Sequence, residues 1–180
     1  IFIQRAKQNL AYPANFILIA AANPCPCGYY KHPEKECSCT GSQVASYKRK
    51  LSGPLLDRID IFCWAGSVTY EDLNRVHNPT ASSEIKIKVQ KARDLQKQRF
   101  KNENFLTNSE MHDSHLKKYC QLDPASNALL KDLVDTGQLS ARGYHRVLKV
   151  ARTIADLDEN ENITAKNLTE ALSYRKRENN

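Results

Sequence analysis

Two short patterns that nucleotide-hydrolysing proteins use are missing from these 180 residues. There is no G-x-x-x-x-G-K-[ST] loop, and no apolar run ends in Asp-Glu. Cradling a nucleotide's phosphates and holding its magnesium therefore cannot be assigned to this stretch of chain. No apolar run approaches the ~20 residues a membrane helix needs. A charged segment leading into an apolar one is also missing near the first residue, which predicts no export and a cytoplasmic place. The sequence opens at Ile1, without Met and inside an amphipathic pattern, which predicts a piece of a longer protein. Internal repeats and low-complexity tracts are absent too.

What is present reads as a globular chain, with 41% hydrophobic and 26% charged residues. Its length suffices for one domain, or for a small one with an incomplete second. The formal charge of +7 favours contact with phosphates, as in nucleic acid or nucleotide, or else marks a solvated basic face. Cysteine placement says more. Four of the six cysteines fall between Cys25 and Cys39, while Cys63 lies in an apolar run and Cys120 in a helical segment. In an intracellular protein such clustering points to a metal rather than to disulfides.

Residues 16–65 form the centre of the chain. Residues 1–10 read as the end of a helix that Tyr12-Pro13 stops. Residues 15–22 are short and continuously apolar, the pattern of a strand inside a parallel sheet. An irregular, cysteine-rich loop follows over 23–40. Thr40 or Ser42 caps a helix to about Leu51 that turns Val44, Tyr47 and Leu51 to one side. Pro54 starts a short helical turn, and residues 59–65 read as a second strand. A short helix is expected over 68–76, then a linker over 77–83. From there the chain is helical, with Ser83, Asp123, Ser140 and Thr164 as caps and Gly137 as a stop. The fold class is thus α/β, with parallel strands, followed by an all-α half.

Four groups of residues can carry chemistry. Cys25, Cys27, Cys37 and Cys39 are spaced C-x-C, nine residues, C-x-C, and four thiolates suffice for a tetrahedral structural zinc site. An extended C-x-C points its side chains apart, so Pro26 and Gly28 must bend the first pair inward. His32 is a possible substitute ligand, and the competing reading is a reduced loop without metal. Asn23 stands just past the carboxyl end of the first predicted strand, where open α/β sheets bind ligands, or simply forms an Asn-Pro turn. Arg58, between Asp57 and Asp60, is placed to stabilise a transferring phosphoryl group, or belongs to a local ion-pair network. Arg142, Arg146 and Lys149, with His145 beside them, make a basic stripe near the start of a helix. Cations there oppose the macrodipole unless an anion is bound; the alternative is a solvated face.

Three words of the sequence go further together. They are Asn-Pro-Cys-Pro-Cys-Gly over 23–28, Leu-Ser-Gly-Pro-Leu-Leu-Asp-Arg-Ile-Asp over 51–60, and Ser-Ala-Arg-Gly-Tyr-His-Arg over 140–146. In this order they resemble the C-terminal half of the magnesium-chelatase-like AAA+ ATPases of the competence-protein ComM (YifB) type. The resemblance implies that residues 1–66 end an AAA+ core, that 67–82 connect, and that 83–180 form a helical lid. It implies a sensor 1 role for Asn23, beside the attacking water. Arg58 takes the role of an arginine finger acting on the neighbouring subunit's nucleotide. Arg142 takes that of sensor 2, with Arg146 beside it on the nucleotide. ATP and Mg2+ are the implied cofactors, held mainly by segments outside this chain, and the chain alone is expected to be inactive. The implied partners are further copies of itself in a hexameric ring and DNA, the latter through branch migration in natural transformation. A zinc-stapled DNA-binding module is the competing reading, based on seven Lys/Arg against Glu84 and Asp94 over 83–101. A metal-insertion motor of the magnesium chelatase type comes after it.

Overall fold

The computed structural model describes residues 1–5, 8–14, 16–50, 53–66, 68–74 and 81–175. About half of the chain is helical, and the sheet found among the described residues has two strands. The chain divides into two compact units, Ile1–Ser52 and Gly53–Asn180.

In the first unit, strands β1 (Phe2–Arg5) and β2 (Gln8–Ala11) form an antiparallel hairpin. Phe2 faces Ala11, and Arg5 faces Gln8. This corrects the helix expected over residues 1–10. All eight strand residues are exposed, so neither a helical nor a strand-like burial pattern was written into them. Residues 16–22 carry no strand and are exposed, Ile17 by 86% and Ile19 by 89%. A wholly apolar strand holds only where neighbours cover both its edges and both its faces. The described residues supply neither, and the expected parallel pairing is not formed.

Helix α1 (Gly41–Arg49) begins at Thr40, whose Oγ1 accepts the Gln43 N–H while the Gln43 side chain accepts the Thr40 N–H. This capping box satisfies two otherwise orphaned donors. Val44 is buried and Tyr47 half-buried; Leu51, expected on the same side, lies outside the described residues.

The second unit is helical: α2 (Gly53–Leu56), α3 (Tyr70–Asn74), α4 (Ser82–Arg99), α5 (Asp113–Tyr119), α6 (Pro124–Asp135), α7 (Ala141–Leu157) and α8 (Ala165–Ser173). A 3-10 turn, Asn108–Glu110, precedes α5. Most of the linker expected over 77–83 lies outside the described residues. Residues 59–65 form no strand; one backbone bond, Phe62 N–H to Tyr174 C=O at 2.8 Å, ties them to the end of α8. The predicted cap at Ser83 is also corrected. Helix α4 starts two residues earlier, after Ala81, without a side-chain cap.

Helix α7 is the centre of this unit and packs against α4, α5, α6 and α8. Val147, Leu148, Ala151, Ile154 and Ala155 recur at the spacing of one helical face and are buried. Its start is fixed by Ser140, whose Oγ accepts the Gly143 N–H at 3.1 Å. Leu139, just before the cap, is buried in the core, and its Cδ1 occupies the place a Cβ at residue 143 would need, 2.8 Å away. Asp123 caps α6 with Pro124 in its first turn, and Thr164 caps α8. Both follow the expected pattern.

Candidate functional site

A tight turn bends the first pair of cysteines. The Gly28 N–H donates to the Cys25 C=O at 3.1 Å, with Pro26 at the second position. Gly28 has φ +86°, the left-handed region where a side chain is strained. The bend brings the Cys25 and Cys27 sulfurs to 3.4 Å, where an extended backbone would send them to opposite sides. Cys37 Sγ lies 3.7 Å from Cys25 Sγ and 3.5 Å from Cys27 Sγ. With Cys39 included, all four sulfurs lie within 4.8 Å of one another, and Cys25 is fully buried. Tetrahedral Zn–S bonds of about 2.3 Å place their sulfurs about 3.8 Å apart, so the cage has the right size.

The thiols do not titrate alike. A hydrogen bond from the Tyr29 backbone is the main force holding the Cys27 thiol down at about 5. For Cys37 the Cys39 backbone favours the thiolate. Burial and the Cys27 and Cys25 sulfurs outweigh it and push the thiol up to about 12. Cys39 is raised in the same way, against a hydrogen bond from the Cys27 backbone. Four sulfurs this close need a cation before all can be thiolates. His32 is not part of the cage. Its Nδ1 accepts the N–H groups of Glu34, at 3.1 Å, and Lys35, at 3.0 Å, and so shapes the loop.

Asn23 is exposed and lies two residues before the turn's first residue, Cys25. The strand expected before it is not formed, so its place at a strand's carboxyl end has no support in the fold.

In the second unit, residues 57–60 are docked on the helical core. The Ser140 hydroxyl donates to Asp57 Oδ2 at 3.4 Å, and Arg146 pairs with Asp60. Arg175 donates to the Ile59 C=O at 2.7 Å and lies 3.6 Å from Asp57. These contacts join the segment carrying Arg58 to the N-terminus of α7, which carries Arg142. Both arginines are exposed. The Asp57 carboxylate beside Ser140 sits where a helix start favours negative charge.

The rest of the basic stripe is committed inside the fold. Arg146 is held by Asp60, Lys149 donates to the Ser109 C=O at 2.8 Å, and His145 lies 3.3 Å from Asp113. Burial lowers the Lys149 pKa, helped by the neighbouring Arg146.

Sequence reasoning missed a buried polar cluster beneath this surface. Asp156 receives Arg99, Arg152 and Asn108 while fully buried. The signal was available, because Arg152 and Asp156 are a charged pair four residues apart within the apolar stripe of α7. Charges there need partners from other elements.

Residues 79–175 match the family described as magnesium chelatase, subunit ChlI C-terminal, and residues 1–73 match magnesium chelatase, subunit ChlI. The chain belongs to the magnesium chelatase family. Among curated proteins, YifB of Escherichia coli K12 is 37% identical over 97% of this family member's length. The competence protein ComM of Haemophilus influenzae Rd is 36% identical over 97% of it, and YifB of Salmonella typhimurium LT2 is 35% identical. The chain spans 33–34% of those relatives' lengths. No helix among its described residues is long and apolar enough to cross a membrane.

Proposed function

We propose that this chain supplies the nucleotide-responsive part of an AAA+ ATPase that works as a ring and remodels DNA. In this reading Asn23 orients water at the subunit's own nucleotide, and Arg58 reaches the nucleotide of the neighbouring subunit. Arg142 reaches nucleotide from a helical lid formed by residues 83–180, with Arg146 beside it. The observation that carries the reading is the clamp between residues 57–60 and α7. Two exposed guanidiniums stand on segments tied together through Asp57–Ser140 and Asp60–Arg146. A rigid mount is what charge stabilisation at a phosphoryl group requires. Arg146 contributes to that mount, because Asp60 already holds it. ATP and Mg2+ would be bound mainly by segments outside this chain, in the cytoplasm. The branch-migration role is what the resemblance to the ComM type implies for the longer protein.

The chain by itself is expected to show no magnesium-dependent ATP turnover. Phosphate release from the purified 180-residue protein, measured against a no-enzyme blank, checks this; steady turnover would refute it.

The four cysteines are proposed to hold one structural zinc, with no open position for catalysis. Elemental analysis of freshly reduced protein should find about one zinc per chain, and Cys25→Ser with Cys37→Ser should abolish it. Wild-type protein free of zinc after expression in zinc-replete medium would count against the assignment.

One observation favours the alternative of a zinc-stapled DNA-binding module. Residues 82–91, just over the first half of α4, are exposed throughout and carry Lys86, Lys88 and Lys91. Salt-dependent DNA binding that does not respond to nucleotide in the full-length protein would support that module over the motor.

A further inference from the structure

The residues between the two cysteine pairs are more than a spacer. Tyr29 and Tyr30 follow Gly28 directly, and each ring carries a lysine. Lys35 Nζ lies 5.1 Å from the Tyr29 ring centre, and Lys48 Nζ, from α1, lies 4.5 Å from that of Tyr30. Lys31 Nζ is a third cation, 5.9 Å from the Tyr30 ring. Lys31 also holds φ +59°, a conformation that side chains other than glycine adopt at a cost and that recurs at functional loops.

The loop is tied down on every side. His32 stacks edge-on to Tyr29 at 5.7 Å, and its Nδ1 fixes the backbone of Glu34 and Lys35. The cysteine cage closes both ends of the loop. An open depression of ≈ 560 Å³ lies among Tyr29, Lys31, His32, Lys35 and Cys37, with Glu34 and Glu36 also on its wall. Over residues 29–50, Lys31, Lys35, Lys48, Arg49 and Lys50 outnumber these two carboxylates.

We propose that this cysteine-caged loop is a contact for single-stranded DNA, with bases stacked on Tyr29 and Tyr30 and phosphates taken by Lys35 and Lys48. Aromatic faces beside cations are the common means of holding unpaired bases without regard to sequence. A duplex keeps its bases stacked on each other, so the tyrosines would have nothing to receive from it. The inference deepens the DNA-remodelling reading by naming where a displaced strand would sit, and it rests on that reading.

The test is fluorescence anisotropy of the full-length protein with a labelled oligo-dT and, separately, a labelled duplex. Tyr29→Leu with Tyr30→Leu, which keeps apolar bulk but removes the ring face, should weaken oligo-dT binding by at least about tenfold. Duplex binding should stay unchanged. Tyr29→Trp with Tyr30→Trp should retain oligo-dT binding. Lys35→Ala with Lys48→Ala should reduce the salt slope by about 0.7 per lysine. Equal oligo-dT affinity for the leucine and tryptophan variants overturns the proposal, as does wild-type protein that binds no oligo-dT. A leucine variant that still binds oligo-dT, beside an Arg58→Ala variant that has lost ATP turnover, would sink the loop contact and leave the motor reading standing.

Discussion

Replacing Asp156 by Ala is expected to cost the fold about 3–5 kcal/mol, read as a lower urea midpoint at unchanged slope. The carboxylate is fully buried and is the meeting point of three elements. Arg99 of α4 reaches it with both terminal nitrogens, one of them at 2.9 Å. Asn108 of the 3-10 turn donates at 2.8 Å, and Arg152 of α7 donates through Nε at 3.1 Å. Arg152 is itself buried, and its remaining nitrogens are spent on the carbonyls of Asn160, at 2.6 Å, and Glu161, at 2.7 Å. Burial already pulls the Arg152 pKa down, opposed chiefly by Asp156. Without the carboxylate, a guanidinium stays in the core with no counter-charge, the costly case for a buried pair. Such a loss is a large share of the whole, since domain stabilities run to about 5–15 kcal/mol. Replacing the pair together, Arg152→Met with Asp156→Leu, should recover only part of the loss: the fully buried guanidinium goes, but Arg99, at 17% exposure, and Asn108 still lose their acceptor. A loss from Asp156→Ala below about 1 kcal/mol, the range of exposed pairs, would mean that water reaches the cluster.

The second large effect concerns activity. In the full-length protein, Arg58→Ala is expected to lower the ATPase rate by about a thousandfold or more, the range for an arginine finger. The fold should survive, because Asp57, Ile59 and Asp60 each keep their own contact with the helical core. Arg58→Lys should rescue little, since an ammonium cannot present the planar fork of a guanidinium. Rates measured beside circular dichroism and ring assembly separate this from misfolding. Unchanged turnover with intact assembly would remove Arg58 from the site.

Local signals in the sequence carried the helical unit well. Asp123, Ser140 and Thr164 each cap the helix expected of them, since a cap is a contact between near neighbours. The cysteine spacing, with Pro26 and Gly28 as the bend, likewise foretold the convergence of the sulfurs. Long-range partners were not legible. The tie between Arg99 and Asp156 crosses 57 residues, and nothing near either one names the other. The strand patterns failed for a related reason. Residues 16–22 and 59–65 have the composition of a buried sheet, but composition states a need for neighbours and does not supply them. Within residues 102–122 the expectation was only of helix, with Cys120 in a helical segment; Cys120 closes α5 as its C-terminal cap. There His112 caps α5 and Thr107 caps the 3-10 turn, short elements whose burial rests on a few residues such as Asn108, Met111 and Leu116.

The most direct test of the account mixes two defective forms of the full-length protein. One carries Arg58→Ala, and the other is disabled in nucleotide binding by a change in its phosphate-binding loop. If Arg58 serves the neighbouring subunit's nucleotide, each form alone should be inactive, and mixed rings should regain measurable ATP turnover. Mixed rings that assemble but stay inactive, or Arg58→Ala protein that turns over ATP at the wild-type rate, would contradict it.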